Sequence, residues 1–443
     1  MAKLIDLPLE VLAEVLLYVF LGPKQEEPPD PETLDDEELT KLGDFNQLLK
    51  NYSNSKVLTI SFTTDIDILH SCQGVDIVNT YWTFCGHRSA LLAFSLTCKR
   101  FHEIAEPFIW GLVEIDQESK GTFGDLLRVL EMLMKRPDLA RHVKALSFRD
   151  FYAGFTPPFS EFEQQEMSNI LDWDETHQVA DLLDRLPQLQ SLKLAVEYVP
   201  DFFDVFKPSS IYPSGFPLSL QNLTELSFYW EDPDTPFSAY ILLPFFLLPN
   251  LKTLYLGHPI AEADEEPLDF ARYIRTSKIT SLIIGIGLVE STALNVFLKL
   301  PAALESFTYT YGGGSKHCAS AKIHECYRAL LPQRASLKKL KIRGCRDMQV
   351  SEDELAPDPN LLKSFPVLQE FSCPIRLLFR EPGSVPLDYK PESILLPSIE
   401  KLTLYVYDDW MFHKLDQEIK NFFSSGERLY PGLKKLRVEC WLK

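Results

Sequence analysis

One pattern constrains this chain more than any other: apolar-x-x-apolar-x-apolar, repeated ten times between residues 143 and 438. It reads VKALSF from Val143, LQSLKL from Leu189, LTELSF from Leu223, LKTLYL from Leu251 and ITSLII from Ile279. It continues as LESFTY from Leu304, LKKLKI from Leu337, LQEFSC from Leu368, IEKLTL from Ile399 and LKKLRV from Leu433. Successive starts lie 25 to 46 residues apart. Self-similarity of this kind marks stacked units, none of which can bury its apolar face alone. The last two apolar positions alternate as on a short strand. The first packs beneath the turn leading into that strand, and several turns carry proline (LPQ, LPN, FPV, LPS, YPG). Between the copies, THQVADLLDRL, STALNVFLKL and CASAKIHECYRALL space their apolar residues as helices do.

Over residues 140–443 this pattern resembles leucine-rich repeats. The resemblance implies an α/β solenoid: a curved, largely parallel sheet with helices and loops on its convex side, and binding on the concave face. Most spacings exceed the usual upper period of about 29 residues, and the asparagine that follows the strand in that family is mostly absent. The expectation is therefore an irregular array of about ten units over 116–443. Strand register predicts a basic strip on its open face: Lys339, Lys341, Arg343, Lys401, Lys435 and Arg437. Such a strip would read an acidic or phosphorylated client. Tyr229, Trp230 and Tyr255 are expected to supply apolar anchors on the same face.

The N-terminal region is of another kind. DLPLEVLAEVLLYVF starts a helix with Asp6 as cap, Pro8 in the first turn and Glu10 near the positive dipole end. A second apolar run follows in SALLAFSLTCKRFHEIAEPFIWGLVEI, Ser89 to Ile115. A few short helices cannot bury all these leucines among themselves, which calls for a partner surface. The two runs together resemble an F-box. Leu7, Pro8 and Glu10 match its start, and Leu12, Val15, Leu16 and Val19 its first helix. Leu91, Leu92 and Leu96 match the second helix, Cys98–Phe101 the Cys-Lys-Arg-aromatic tetrad, and Ile104, Ala105, Pro107 and Trp110 the end. The resemblance implies docking on the Skp-family adaptor of a cullin–RING ubiquitin ligase through Leu7, Pro8, Leu12, Leu16, Leu91, Leu92, Leu96, Cys98, Phe101 and Trp110. For Phe101, Ile104 and Trp110, packing against the chain's own repeats is an equal alternative.

This box is split into 1–21 and 88–115. The intervening 22–87 begins proline- and acid-rich and carries twelve acids against four lysines, which predicts a solvated, partly disordered insertion. Its later part, VLTISFTTDIDILHSCQGVDIVNTYWTFCGH, is apolar enough to fold or pair locally. Three readings stay open: a tolerated loop, a segment with its own binding role, or a translated intron.

Charge and cysteine usage set the remaining bounds. With 63 acids against 44 bases the chain carries −19, which disfavours nucleic acid and anionic membrane as partners. Eight cysteines without a C-x-x-C pair fit a reducing compartment, cytoplasmic or nuclear. Asp6, Glu10 and Glu14 interrupt what would otherwise look like a signal segment. GGGSK at Gly312 lacks phosphate-loop spacing. His317, Cys318, His324 and Cys326 match no zinc pattern. No metal, cofactor or catalytic residue is expected. The reading is a non-catalytic adaptor that brings a client protein to the ligase. The alternative is a leucine-rich-repeat interaction scaffold with a non-functional F-box.

Overall fold

The computed structural model describes residues 58–62, 92, 95–116, 124–151, 175–196, 218–230, 236–263, 270–311, 321–344, 362–375, 378, 396–406 and 432–440. In chain order the strands are β1 (Leu58–Phe62), β2 (Leu112–Asp116), β3 (Ala145–Phe151), β4 (Ser191–Val196), β5 (Glu225–Trp230), β6 (Phe237–Ser238) and β7 (Thr253–Gly257). They continue with β8 (Ile260–Glu262), β9 (Ser281–Val289), β10 (Ser306–Tyr311), β11 (Lys339–Gly344), β12 (Glu370–Pro374), β13 (Lys401–Val406) and β14 (Lys435–Cys440).

One backbone device recurs at the start of these strands. The carbonyl just before a strand accepts two consecutive N–H groups from the start of the next repeat. Gly111 accepts from Lys144 and Ala145, Lys144 from Gln190 and Ser191, Gln190 from Thr224 and Glu225, and Thr224 from Lys252 and Thr253. Thr280, Glu305, Lys338, Gln369 and Glu400 do the same further along. This lead-in aligns each strand parallel to the one before it. Parallel strands require a crossover, and several of the crossovers here carry helices.

The chain divides into two compact units. The first contains the parallel order β2-β3-β4-β5-β7. Its helices include Lys99–Ile109, Gly124–Lys135, Pro137–Ala140, Glu175–Asp184, Leu218–Asn222 and Leu243–Phe246. The second contains β9-β10-β11-β12-β13-β14-β1, again parallel, with β6 and β8 beside β9 and helices at Ser291–Lys299 and Ile323–Ala329. Two of the expected helices stand where the periodicity places them. The third, CASAKIHECYRALL, contains the helix Ile323–Ala329. Its start is set by Glu325, whose carboxylate accepts the Lys322 N–H at 2.8 Å.

The motif positions form the core. In nine of the ten copies the three apolar residues are all buried, from Val143, Leu146 and Phe148 to Ile399, Leu402 and Leu404; in the last, Leu433 is half-buried. The array also starts earlier than the motif count suggests. β2 pairs with β3 through Val113↔Leu146 and Ile115↔Phe148. WGLVEI, Trp110 to Ile115, follows the same spacing with tryptophan in first place. WGLVEI thus carries the repeat spacing within the stretch that resembles an F-box.

Segment 22–87 contributes β1, which pairs in parallel with the last strand, from Leu58↔Leu436 to Phe62↔Cys440. Its pairing is therefore long-range rather than local. It covers an edge whose backbone groups would otherwise be open. Replacing Leu58–Phe62 by Gly-Ser is expected to speed amide exchange in β14 by about tenfold or more. Unchanged protection in hydrogen-exchange mass spectrometry would remove β1 from the sheet.

Candidate functional site

The first candidate surface lies on the Lys99–Ile109 helix and the turn before it. Ala105 and Ile109, one helical turn apart, form its buried face, with Phe108 and Trp110 packed against them. Phe101 and Cys98 are half-buried. Trp110 thus packs, at least in part, against its own helix. Glu106 and Asp138 both accept from Arg136, at 3.0 and 2.6 Å, pinning the helix to the next one. The Arg136 hydrogen bond holds the Asp138 carboxyl below its usual range. Arg136 and Asp138 are exposed, so solvent screens these pairs and they position the helix more than they stabilise it.

Leu92 and Leu96 behave differently. The Leu96 N–H donates to the Leu92 carbonyl at 3.1 Å, placing the two side chains one helical turn apart. They are 44% and 84% exposed. The pair stands open beside a helix whose other apolar face is buried. Leu7, Pro8, Leu12, Leu16 and Leu91 lie outside the described residues.

The second candidate is the sheet face opposite the core. In the first unit, register puts Ser191, Glu225 and Thr253 in one row, and Lys193, Ser227 and Tyr255 in the next. Here the expectation of three anchors fails for two residues. Successive side chains on a strand point to opposite faces. Tyr229 faces with Lys193, so Trp230 turns to the core, against Phe228 at 6.2 Å between centroids. Tyr255 does share the face with Tyr229, their rings 5.0 Å apart, yet it is only 2% exposed and offers almost no free surface. The Lys193 ammonium lies 4.8 Å over the Tyr229 ring.

Glu225 on this face is buried, and its Oε2 has no hydrogen-bond partner. Burial raises its pKa. A carboxyl whose folded pKa lies above the unfolded value favours folding below the unfolded pKa, and loses that contribution as pH rises through the folded value. Glu225→Gln is therefore expected to stabilise the chain by about 1 kcal/mol at neutral pH, with the gain vanishing near pH 4. Urea unfolding at the two pH values checks this.

In the second unit the predicted strip does share one face, in three rows. Row one is Ser281, Ser306, Lys339, Glu370, Lys401 and Lys435. Row two is Ile283, Thr308, Lys341, Ser372, Thr403 and Arg437. Row three includes Arg343 and Tyr405. The strip is less uniform than its composition suggests. Glu370 takes Lys401 at 2.9 Å and Lys339 at 3.4 Å. Its partial burial alone would raise its pKa, but the Lys401 hydrogen bond and the two ammonium charges outweigh that and lower it. Arg343 is only 7% exposed; its Nε donates to Tyr405 Oη at 3.0 Å and the guanidinium stacks on that ring. It is a fixture of the face rather than a mobile cation.

The remaining chemistry is sparse. GGGSK, His317 and Cys318 lie outside the described residues. His324 is half-buried and Cys326 fully buried on the Ile323–Ala329 helix. Burial pushes the Cys326 and Cys373 thiols well up, away from thiolate chemistry. Among the described residues no three metal-capable side chains gather, and no helix is long and apolar enough to cross a membrane.

No family model matches this chain, and no curated protein matches it in sequence. Among solved structures it is similar to a Bacteroides fragilis protein known from a crystal structure, with 16% identity and a TM-score of 0.32 over 63% of this chain and 72% of that one.

Proposed function

We propose that this chain is a non-catalytic recognition subunit. Its F-box-like segment docks on a Skp-family adaptor, and through it on a cullin–RING ubiquitin ligase. Its repeat strands, which resemble leucine-rich repeats, hold a client protein in the cytoplasm or nucleus. The observation that carries the docking half is the exposed pair Leu92 and Leu96, next to a helix whose inward face is already filled by Ala105 and Ile109. The client half is supported by the second unit's strands, whose outward residues include Lys339, Lys341, Lys401, Lys435 and Arg437. The work done is positional: a client's lysines held near a charged conjugating enzyme react at raised effective concentration. This chain supplies no acid, base or nucleophile to that reaction.

Co-expression and co-purification of the full chain with a Skp-family adaptor tests the reading. A stoichiometric complex is the expected result. Absence of any complex would leave an interaction scaffold with a non-functional box, split by residues 22–87.

A further inference from the structure

The turns that lead into the second unit's strands line one edge of its sheet, and their exposed charges are mostly of one sign. These turns run through 270–280, 298–305, 331–338, 362–369, 396–400 and 432–434. The first three lie side by side. The Arg275 N–H donates to the Lys299 carbonyl at 3.0 Å, Ser277 forms a parallel bridge with Pro301, and Gln333 reaches back to Leu298 and Pro301. Arg272, Arg275, Lys278, Lys299, Arg334 and Lys363 stand exposed on this edge. Arg275 is held at φ 61°, a left-handed backbone that disfavours any side chain, while its guanidinium donates to the Ala302 carbonyl at 3.3 Å. Among the described residues these turns carry two acids, Glu305 and Glu400. Each already bridges its own lysine, Lys338 at 3.1 Å and Lys434 at 2.8 Å. Among the described residues no carboxylate bridges the other six cations, although the chain as a whole carries −19. Ile274 and Val367, each 38% exposed, sit on the same turns with exposed Pro332 and Pro366.

We infer that this edge is a docking surface for an extended acidic segment of a partner protein, one that mixes carboxylates with apolar side chains. The inference rests on the reading that the repeats hold a partner, and not on adaptor docking. Parallel strands stand about 4.8 Å apart, so the turns ahead of β9, β10, β11 and β12 span about 14 Å, the reach of about four or five extended residues. Charge spread over that length suits carboxylates recurring along a chain, whereas one phosphate would meet only the cations beside it. The apolar residues exposed among the cations would cover the aliphatic part of such a segment. Nucleic acid fits less well. These exposed apolar residues are aliphatic and give bases no ring to stack on, and a chain carrying −19 repels a long polyanion.

The test uses the full chain and three fluorescein-labelled probes of similar length: a peptide repeating Glu-Val-Asp-Pro, its Gln-Val-Asn-Pro counterpart, and single-stranded DNA. Anisotropy at physiological salt should show the acidic peptide binding at least about tenfold more tightly than the amide peptide, as several exposed ion pairs together allow. The DNA should bind no better than the amide peptide. Lys278→Glu with Lys299→Glu and Arg334→Glu should erase the preference. Lys99→Glu with Lys135→Glu and Arg141→Glu makes the same charge change on exposed residues of the first unit and should leave most of it. Glu305→Gln releases Lys338 and should strengthen acidic-peptide binding about twofold, a gain that misfolding cannot mimic. Equal binding of the two peptides would overturn the inference. So would DNA binding tighter than the acidic peptide, or a preference that survives the Lys278/Lys299/Arg334 variant or falls equally in the first-unit variant. Adaptor binding is measured on the same wild-type sample. An adaptor complex without acidic-peptide preference rejects the docking edge alone. Preference without an adaptor complex rejects the ligase reading alone.

Discussion

Leu92→Asp with Leu96→Asp is expected to abolish co-purification with the Skp-family adaptor while leaving the melting temperature nearly unchanged. Burying one leucine side chain contributes about 1.5–3 kcal/mol, so losing two from an apolar seam removes about 3–6 kcal/mol. Aspartates forced into the same seam add a desolvation cost with no partner to offset it. Since each 1.4 kcal/mol is about tenfold in affinity, the loss is at least about 100-fold. Stability is spared because both side chains already face solvent in the isolated chain; exposed substitutions change stability by only about 0.5 kcal/mol. A double variant that still forms the complex would place docking elsewhere. One that loses both the complex and its thermal stability would assign these leucines to the chain's own fold.

Gln333→Met is expected to destabilise the second unit by about 3 kcal/mol, and Gln333→Ala by about 3–5 kcal/mol. Gln333 is fully buried, and its amide serves three backbone groups of the preceding repeat. Its Nε2 donates to the Leu298 and Pro301 carbonyls at 2.9 and 2.8 Å, and its Oε1 accepts the Leu304 N–H at 2.9 Å. Methionine fills a similar volume without hydrogen bonding, so it isolates the cost of stranding those buried groups. Alanine adds a cavity. Because every one of these bonds crosses to the neighbouring repeat, the loss falls on the interface between repeats, the term that sustains cooperativity in stacked arrays. Urea unfolding checks both variants. A Met variant within about 0.5 kcal/mol of wild type would mean that water replaces the amide at little cost. Two asparagines make lighter versions of the same tie. Asn222 donates to the Pro187 carbonyl at 2.7 Å, and Asn250 to the Gln221 carbonyl at 2.6 Å.

Those ties show where reading along the chain ran out. The repeat family suggested by the motif uses an asparagine after the strand, and little of it is present. Here polar side chains in the turn before the strand do similar work, but LPQ and LPN read as ordinary turns until their partners in the previous repeat are visible. Gly287 is a similar case. A Cβ there would lie 2.5 Å from the Pro259 carbonyl oxygen, the same oxygen that accepts the Leu288 N–H at 2.8 Å. Only a residue without a side chain permits that approach, and the sequence offers no hint of what comes near.

The motif by itself determined the apolar core positions of ten strands, β3–β5, β7 and β9–β14, but not β1, β2, β6 or β8. A repeated apolar spacing states, unit by unit, which face must leave water, and burial is decided mainly by residue type and period. It also put Lys339, Lys341, Lys401, Lys435 and Arg437 on one face, since alternation along a strand is a local property. Only the tertiary structure decided which of those charges are already spent. The Glu370 bridges and the Arg343–Tyr405 contact join residues 31 and 62 positions apart. It alone also put β1 beside β14 and left Tyr255 almost no exposed surface. Electrostatic pairing and edge pairing depend on distances across repeats, and those distances are fixed by how the units stack rather than by the order of residues within any one of them.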